Sequence, residues 1–284
     1  MIARLAAPSG DAIDWFSAVV LGLVEGVTEF LPVSSTGHLI VAQRLLGLPE
    51  GAASNAFNIG IQMGAITAIL MLYGRDLWTA LRQLPRRVSG ESNLLVQIAI
   101  AALPAAVLGL AIDDWIDEHL FSPWVVAATL LVGGVALLLL ERHLDGRAPR
   151  VAALSRMPYR TALWIGLWQC LALVPGTSRS GATIGGALLL GLSRTAAAEF
   201  SFLVGLPILY GAALYKLLGY REMLHGDLLT AFVIGSLVAF VSALAVVVPF
   251  VAFLRRHTFA PFAWYRILAG LVLAWLCWRG VLVD

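Results

Sequence analysis

The chain has 284 residues, of which 60% are hydrophobic and only 13% are charged, and its mean hydropathy is +0.88. Because a soluble domain carries about twice this charged fraction, the composition excludes a soluble globular protein and predicts an all-α integral membrane protein. The net charge of +2 says little, since the placement of charges matters more than their sum. Cys170 and Cys277 both lie in apolar runs, which favours buried thiols over a disulfide or a metal pair.

The first apolar run, residues 15–24, leads into residues 22–38, GLVEGVTEFLPVSSTGH, where carboxylates, hydroxyls and a histidine interrupt apolar sequence. At 1.5 Å per residue the run covers about 15 Å, so Glu25 would lie near the middle of a hydrocarbon core about 30 Å thick. Glu29, four residues later, shares its helix face. A charge at this depth costs roughly 2.5–3.5 kcal/mol, so the pair predicts a functional site. The alternative is a structural ion pair or a hydrogen-bonded polar core.

Pro32 breaks this first helix, and the hydroxyl residues that follow supply the N-terminus of a second, short helix at about residues 36–46. This helix would turn back to the side from which the chain came. The result is a re-entrant hairpin, whose tip must be buried in protein or line a water-filled cavity. His38 lies three residues after Ser35 and shares its helix face. For His38 alone, a buried and satisfied histidine is the better interpretation, but the neighbouring serine and carboxylates favour a site.

The remaining sequence contains a second break and six long apolar segments. Apolar residues 161–174 run into the break, PGTSRSG at residues 175–181, and a short helix then continues to residue 192. The six predicted transmembrane helices lie at about residues 56–73, 94–112, 124–140, 197–218, 228–254 and 262–282.

The second half of the chain repeats the first at an offset of 143 residues, which separates Pro32 from Pro175 and Phe57 from Phe200. We therefore predict a single membrane domain, residues 1–284, with internal repeats at about 12–142 and 158–284. Each repeat would be a re-entrant helical hairpin followed by three transmembrane helices. An odd number of spans gives the repeats inverted topology, and inverted repeats with broken helices are typical of transporters.

The charges of the loops predict the orientation in the membrane. Loop 113–122 has four acidic residues and neither Lys nor Arg, whereas three other loops are rich in arginine. The positive-inside rule places the arginine-rich loops in the cytoplasm and both termini outside. Eight full spans would also put the first two of these loops on one side, so the polar tips and the prolines, not the charges, favour hairpins. The arginines are Arg75, Arg82, Arg86, Arg87, Arg142, Arg147, Arg150, Arg156, Arg160, Arg255 and Arg256.

Arg179 lies in the second break, flanked by serines and glycines. Glycines let a ligand approach the backbone, N–H groups that open a helix favour anions, and a guanidinium binds phosphate through two hydrogen bonds. The alternative, an arginine that reaches the lipid headgroups, is disfavoured because Arg179 lies in a hairpin tip and not at the end of a span. The residues expected to bind substrate with it are Ser34, Thr36, Gly37, Gly176, Thr177, Ser178, Ser180 and Gly181.

If the repeats are inverted, the two tips meet near the middle of the membrane. Acidic residues can hold a divalent cation, arginine and helix N-termini neutralise phosphate oxygens, and serine or water can attack phosphorus. The sequence contains no Walker A, Rossmann or HExxH pattern. The arrangement therefore predicts phosphoryl chemistry, with Arg179 opposite the candidate catalytic residues of the first tip, which are Glu25, Glu29, Ser35 and His38.

Residues 22–38 and 175–194, with shorter stretches at 198–202 and 261–266, resemble the undecaprenyl-diphosphate phosphatases of the bacitracin-resistance type. The resemblance covers essentially the whole chain. It implies hydrolysis of undecaprenyl diphosphate at the outer, periplasmic face of the bacterial inner membrane, which recycles the lipid carrier for peptidoglycan synthesis. It also implies a divalent cation, Mg²⁺ or Ca²⁺, for the acidic pair Glu25 and Glu29, with Ser35 and His38 as the reacting pair and Arg179 as the phosphate clamp.

The partners expected from this resemblance are the polyprenyl diphosphate and the surrounding membrane lipids, with a homodimer as an option and no nucleic acid. Two mechanisms stay open: Ser35 as nucleophile with His38 or Glu29 handling its proton, or water as nucleophile with His38 as base. The rival function is a polyprenyl-phosphate flippase or another transporter, which would need a polar groove but no nucleophile. A PAP2-type lipid phosphatase is disfavoured, since the His and Asp of that family's last motif do not follow the Ser-Arg pairs.

Overall fold

The computed structural model describes residues 13–48, 51–84, 91–219 and 226–282. Arg86 and Arg87 of the first arginine-rich loop lie outside these residues. The described chain is helical, with two 3-10 turns at Leu154–Arg156 and Cys170–Leu173 and no β-strand. The ten α-helices are α1 (Trp15–Thr28), α2 (Ser35–Leu45), α3 (Ala52–Gln83), α4 (Leu94–His119), α5 (Pro123–Leu144), α6 (Tyr159–Gln169), α7 (Arg179–Leu189), α8 (Arg194–Gly219), α9 (Gly226–Leu254) and α10 (Ala260–Trp278).

Six of these helices, α3, α4, α5, α8, α9 and α10, are long and apolar enough to cross a membrane, which confirms the expected number of spans. The other four are short. Helix α1 has 14 residues and α2, α6 and α7 have 11 each, so at 1.5 Å per residue none reaches across about 30 Å of hydrocarbon. The described chain is therefore a multi-pass helical membrane protein with two pairs of short helices.

Three predicted boundaries differ clearly from the structure. Helix α4 continues past a kink at Ile112 to His119, so most of the predicted loop 113–122 is helical. Helix α3 continues to Gln83, ten residues past its predicted end, because the polar residues after Tyr73 end the apolar run without ending the helix. The helix before the second break ends at Gln169, and the last four residues before Val174 form a 3-10 turn. A tightened last turn is a common way to satisfy the final carbonyls of a helix.

The first helix of each short pair packs on a long helix through a glycine. Helix α1 lies against α9, and a Cβ on Gly22 would meet the backbone oxygen of Gly235 at 2.4 Å. Helix α6 lies against α4, and a Cβ on Gly166 would meet the backbone oxygen of Ala101 at the same distance. Backbones that approach this closely leave no room for a side chain, which is why small residues line helix contacts in membrane proteins.

Candidate active site

The two breaks have the same backbone form. Ser34 precedes α2 with φ 71°, and Ser178 precedes α7 with φ 72°; they are the only non-glycine residues with positive φ in the described chain. A left-handed residue at this point turns the chain sharply, so the N-terminal N–H groups of α2 and α7 follow the turns directly. The Oγ of Ser178 accepts a hydrogen bond from the N–H of Gly181 at 3.1 Å. Two helix N-termini of this kind favour an anion.

A buried ion pair joins the breaks. Nη2 of Arg179 donates to Oε1 of Glu29 at 3.0 Å, and the exposed fractions of the two side chains are 9% and 7%. The other carboxylate oxygen, Oε2, accepts the hydroxyl of Ser35 at 2.6 Å. Nη1 of Arg179 donates to the carbonyl of Ser201 at 2.7 Å. Ser35, Glu29 and Arg179 are thus joined in one series of hydrogen bonds, although Glu29 and Arg179 are 150 residues apart in sequence. A charge-assisted network of this kind holds side chains in one conformation.

A cavity of about 200 Å³ adjoins this chain of hydrogen bonds. Seven of the thirteen residues predicted for the site line it, and six do not. Those outside the lining are Glu25, Gly37, His38, Thr177, Ser180 and Gly181. The lining residues are Glu29, Ser34, Ser35, Thr36, Gly176, Ser178 and Arg179 of the two breaks, with Gln62, Ala105, Gln169, Ala172, Leu173, Pro175, Ile208 and Leu209.

Glu25 lies one helical turn before Glu29 and is fully buried. Among the described residues, no N–H or O–H donor reaches either oxygen of its carboxylate, and the Glu29 carboxylate lies close enough to share a proton with it. A buried carboxylate with no partner needs a proton or a cation. No group of three His, Cys, Asp or Glu side chains that could hold a metal occurs in the part of the chain that is described. The donor set still fits Mg²⁺, which commonly takes one or two carboxylates and completes its shell with water and phosphate oxygens.

His38 is engaged away from Ser35. Its Nδ1 bonds the carbonyl oxygen of Ser34 at 2.7 Å, and its Nε2 bonds the hydroxyl of Tyr265 at 2.5 Å. The imidazole and the Tyr265 ring are nearly parallel, with centroids 5.6 Å apart. Ser35 and His38 therefore start one turn apart on α2 but face different partners, and the carboxylate of Glu29 accepts the hydrogen bond of the Ser35 hydroxyl.

The polar residues of the second break also hold the first break in place. The hydroxyl of Ser180 donates to the carbonyl of Leu31 at 2.8 Å and lies 3.0 Å from Oγ of Ser178. Gly176 has φ +84°, and a Cβ there would meet Oγ1 of Thr129 at 2.2 Å. Only glycine satisfies both the left-handed conformation and this close approach.

Arg266 connects the two breaks, and the sequence pattern alone assigned it no role. It is 1% exposed, and it donates to the carbonyl of Pro32 in the first break and of Thr177 in the second, at 3.2 and 2.9 Å. Its second terminal nitrogen donates to the carbonyls of Thr129 and Gly176 at 3.0 and 3.3 Å. One guanidinium therefore binds both breaks to each other and to α5. Its position as the one charged residue within α10, Ala260–Trp278, was a usable signal, by the argument applied to Glu25.

We expect Arg266→Met to lower the Tm of the detergent-purified protein by about 10 °C. The methionine would leave several buried carbonyls without donors, at roughly 1–3 kcal/mol each, and about 2–4 °C is lost per kcal/mol in a protein of this size. Thermal unfolding followed by tryptophan fluorescence measures the change. Arg279→Met is the control, because that exposed guanidinium lies over the Trp275 ring and joins no breaks. Equal Tm values for the two variants would contradict this role of Arg266.

A second, larger cavity of about 480 Å³ neighbours the first. Thr36 and Gln62 line both cavities, so the two are continuous or separated by single side chains. The larger cavity is also lined by Phe121 and Pro123, at the junction of α4 and α5. The larger cavity therefore extends from the first break to the junction of α4 and α5.

The fold and the site define a multi-pass helical membrane protein with a buried serine, carboxylate and arginine set between two helix N-termini. Residues 18–272 match the model of the family described as bacitracin resistance protein BacA, and the chain belongs to this family. It is similar to proteins named undecaprenyl-diphosphatase from Parvibaculum lavamentivorans, 47% identical over 92% of this chain and 96% of that one, and from Sphingopyxis alaskensis, 47% identical over 94% and 99%. A protein named undecaprenyl-diphosphatase 2 from Rhodospirillum rubrum is 47% identical over 95% and 98%.

Proposed function

We propose that this chain is an undecaprenyl-diphosphatase, an integral membrane hydrolase that converts undecaprenyl diphosphate to undecaprenyl phosphate and inorganic phosphate. Relatives with this name match the chain over almost their whole length. The observation that supports the activity most directly is the hydrogen-bonded chain from Ser35 through Glu29 to Arg179 on the wall of a cavity. A nucleophile, a base and a cation in one buried chain suit phosphoryl transfer.

The phosphoryl group would bind between the N-termini of α2 and α7. Arg179 supplies the positive charge, and its Nε is buried without a hydrogen-bond partner among the described residues, which leaves a donor for a phosphate oxygen. The N–H groups that open the two helices add partial positive charge. Preorganised donors of this kind stabilise charge that develops on phosphate oxygens in the transition state.

Ser35 is the proposed nucleophile and Glu29 its base. The Ser35 oxygen would form a bond to the terminal phosphorus while the bond from that phosphorus to the bridging oxygen breaks, and the serine proton would pass to Glu29. Undecaprenyl phosphate then leaves with the bridging oxygen. Water attacks the phosphoserine, which releases inorganic phosphate and restores Ser35. A direct attack by water is the alternative mechanism.

The proposed cofactor is a divalent cation, Mg²⁺ or Ca²⁺. Glu25 would hold it, with Glu29 next along the same helix face, because the Glu25 carboxylate is buried and lacks a hydrogen-bond partner in the described chain. When bound, the cation would neutralise negative charge on the diphosphate. The protein keeps both carboxylates buried, with Glu29 in the cavity wall and Glu25 one helical turn before it.

The proposed architecture is a pair of inverted repeats, each with a re-entrant hairpin. Several features support it: the short helices begin 144 residues apart at Trp15 and Tyr159, and the left-handed serines before α2 and α7 are also 144 apart. The glycines that pack α1 on α9 and α6 on α4 share this offset. Thr67 and Tyr210, 143 apart, hydrogen-bond each other at 2.6 Å, as expected where a pseudo-twofold axis passes between α3 and α8.

The site is proposed to face the periplasmic side of the bacterial inner membrane. The larger cavity that leads to it is lined by Phe121 and Pro123, beside the loop without Lys or Arg. The arginine-rich segments lie at other helix ends and loops, for example at residues 142–160, where α5 ends and α6 begins. The positive-inside rule assigns these segments to the cytoplasm. A site on the outer side would meet diphosphate lipid released there.

Phosphate release from undecaprenyl diphosphate by the purified protein in detergent, with Mg²⁺ or Ca²⁺ and with a chelator, tests the function. We expect release that depends on the cation. Because detergent micelles have no two sides, a flippase would release nothing, and absence of phosphate release under all conditions would contradict the enzyme assignment.

We expect Gly205→Ala to reduce phosphate release about 10-fold without lowering the Tm. A Cβ on Gly205 would lie 2.7–3.0 Å from the guanidinium atoms of Arg179, so this flexible group must move away from the Ser201 carbonyl and from the cavity. The change itself favours helix, since alanine is the better helix former. Gly211→Ala on the same helix is the control, because a Cβ there meets nothing within 4 Å. The same rate for both variants would show that Arg179 tolerates displacement.

A further inference from the structure

Gln169, the last residue of α6, has a buried polar side chain that the chemistry above does not use. It is 1% exposed and lines the 200 Å³ cavity together with Glu29, Ser35 and Arg179. Neither its amide nitrogen nor its amide oxygen has a hydrogen-bond partner among the described residues. Burying an amide without partners costs several kcal/mol in an apolar environment, so such a group at a cavity wall indicates a ligand that completes it.

The position of Gln169 in the sequence repeat also supports a role in ligand binding. It lies nine residues before Ser178, and Glu25 lies nine residues before Ser34, so the two occupy equivalent places on α6 and α1. Both are buried and both lack hydrogen-bond partners within the described ranges. The first place holds an acid and the second its neutral isostere. A third carboxylate beside Glu25 and Glu29 would repel a diphosphate, whereas a carboxamide offers two N–H donors with no charge.

We propose that the carboxamide of Gln169 is a phosphate-binding group of this site, which donates its N–H to a phosphoryl oxygen of the diphosphate. This inference rests on the proposed function, because it takes the diphosphate as the ligand of the cavity. A hydrogen bond between a neutral donor and a charged oxygen is worth about a factor of 10 to 100 in binding. Gln169 would thus set affinity for the diphosphate, while Ser35 and Arg179 carry the chemistry.

The test compares Gln169→Leu and Gln169→Glu in purified protein, with phosphate release and inhibition by methylenediphosphonate, a diphosphate analogue that is not hydrolysed, as readouts. We expect Gln169→Leu to raise KM and the inhibition constant about 10-fold with a small change in kcat. Gln169→Glu should raise KM and the inhibition constant further, because glutamate has nearly the same shape as glutamine but adds a negative charge. Gln169→Leu should retain the wild-type Tm to within a few degrees, since the wild-type amide has no intramolecular partner to lose.

Gln97 is the matched control. It is also a fully buried glutamine, but its amide donates to the carbonyls of Leu154 and Met157 at 2.8 and 2.7 Å and does not line the cavity. Gln97→Leu should therefore lower the Tm and leave KM and the inhibition constant unchanged. Wild-type constants in both Gln169 variants, with an active wild-type enzyme, would overturn the assignment of Gln169 alone. An inactive wild-type protein would instead overturn the proposed function.

Discussion

We expect Arg179→Ala to reduce phosphate release from undecaprenyl diphosphate at least about 100-fold, the scale for removing one preorganised group that stabilises developing charge. The guanidinium joins Glu29 to the Ser201 carbonyl and has a further donor, Nε, beside the cavity. Alanine would remove the positive charge and leave Glu29 without its ion-pair partner. Steady-state rates of purified protein at saturating cation measure the loss.

Arg179→Lys should recover little of this activity, because an ammonium cannot bind Glu29, Ser201 and phosphate in one plane. Arg194 provides the control, since it forms an ion pair with the buried Glu141, away from the cavity. Arg194→Ala is expected to lower the Tm while the folded fraction keeps its rate. A loss of less than threefold in Arg179→Ala would show that the arginine is structural and does not bind phosphate.

The second large effect is expected at Ser35. Ser35→Ala should lower the rate on the order of 1,000-fold or more, because it removes the proposed nucleophile from the Glu29 carboxylate. Rapid acid quenching of wild-type enzyme during turnover, followed by peptide mass spectrometry, should detect phosphoserine at position 35. Wild-type rates in the alanine variant would rule out a serine nucleophile.

The activity of Ser35→Ala and the search for phosphoserine together distinguish a serine nucleophile from a water nucleophile. If Ser35→Ala loses most activity but no phosphoserine forms in the wild type, water is the nucleophile and Ser35 binds the phosphate or positions that water. Ser242→Ala is the control for removing a buried hydroxyl, because Ser242 bonds carbonyls of its own helix and of Gly22, outside the cavity. This variant should keep the wild-type rate.

The six spans could be predicted because each is a long apolar run, and hydropathy reports burial in lipid directly. The breaks could be predicted because proline and clustered hydroxyls oppose continuation of a helix at Pro32 and Pro175. The length of α3 could not, because hydropathy marks where apolar residues end, whereas a helix continues through polar residues that favour it. Positive φ at Ser34 and Ser178 was also beyond sequence reasoning, since serine rarely adopts it.

The meeting of Glu29 and Arg179 could be predicted from the spacing of the two sequence breaks, but the partners of individual side chains could not. Helical spacing placed Ser35 and His38 on one face, yet the imidazole bonds Tyr265, which is 227 residues away. Arg266 and Gln169 carried the same signal as the acidic pair, a polar side chain in apolar sequence. Their partners, or the lack of them, depend on packing between distant helices that no local pattern specifies.

The central claim is that the two breaks form one binding site for a lipid diphosphate. An experimental structure of the protein with a non-hydrolysable methylene-bridged prenyl diphosphonate tests it most directly. We predict the terminal phosphoryl group between the Arg179 guanidinium and the Ser35 hydroxyl, with its oxygens within hydrogen-bond reach of both. A diphosphonate bound only in the larger cavity, near Asn55 and Asn58 and away from Arg179, would contradict the account.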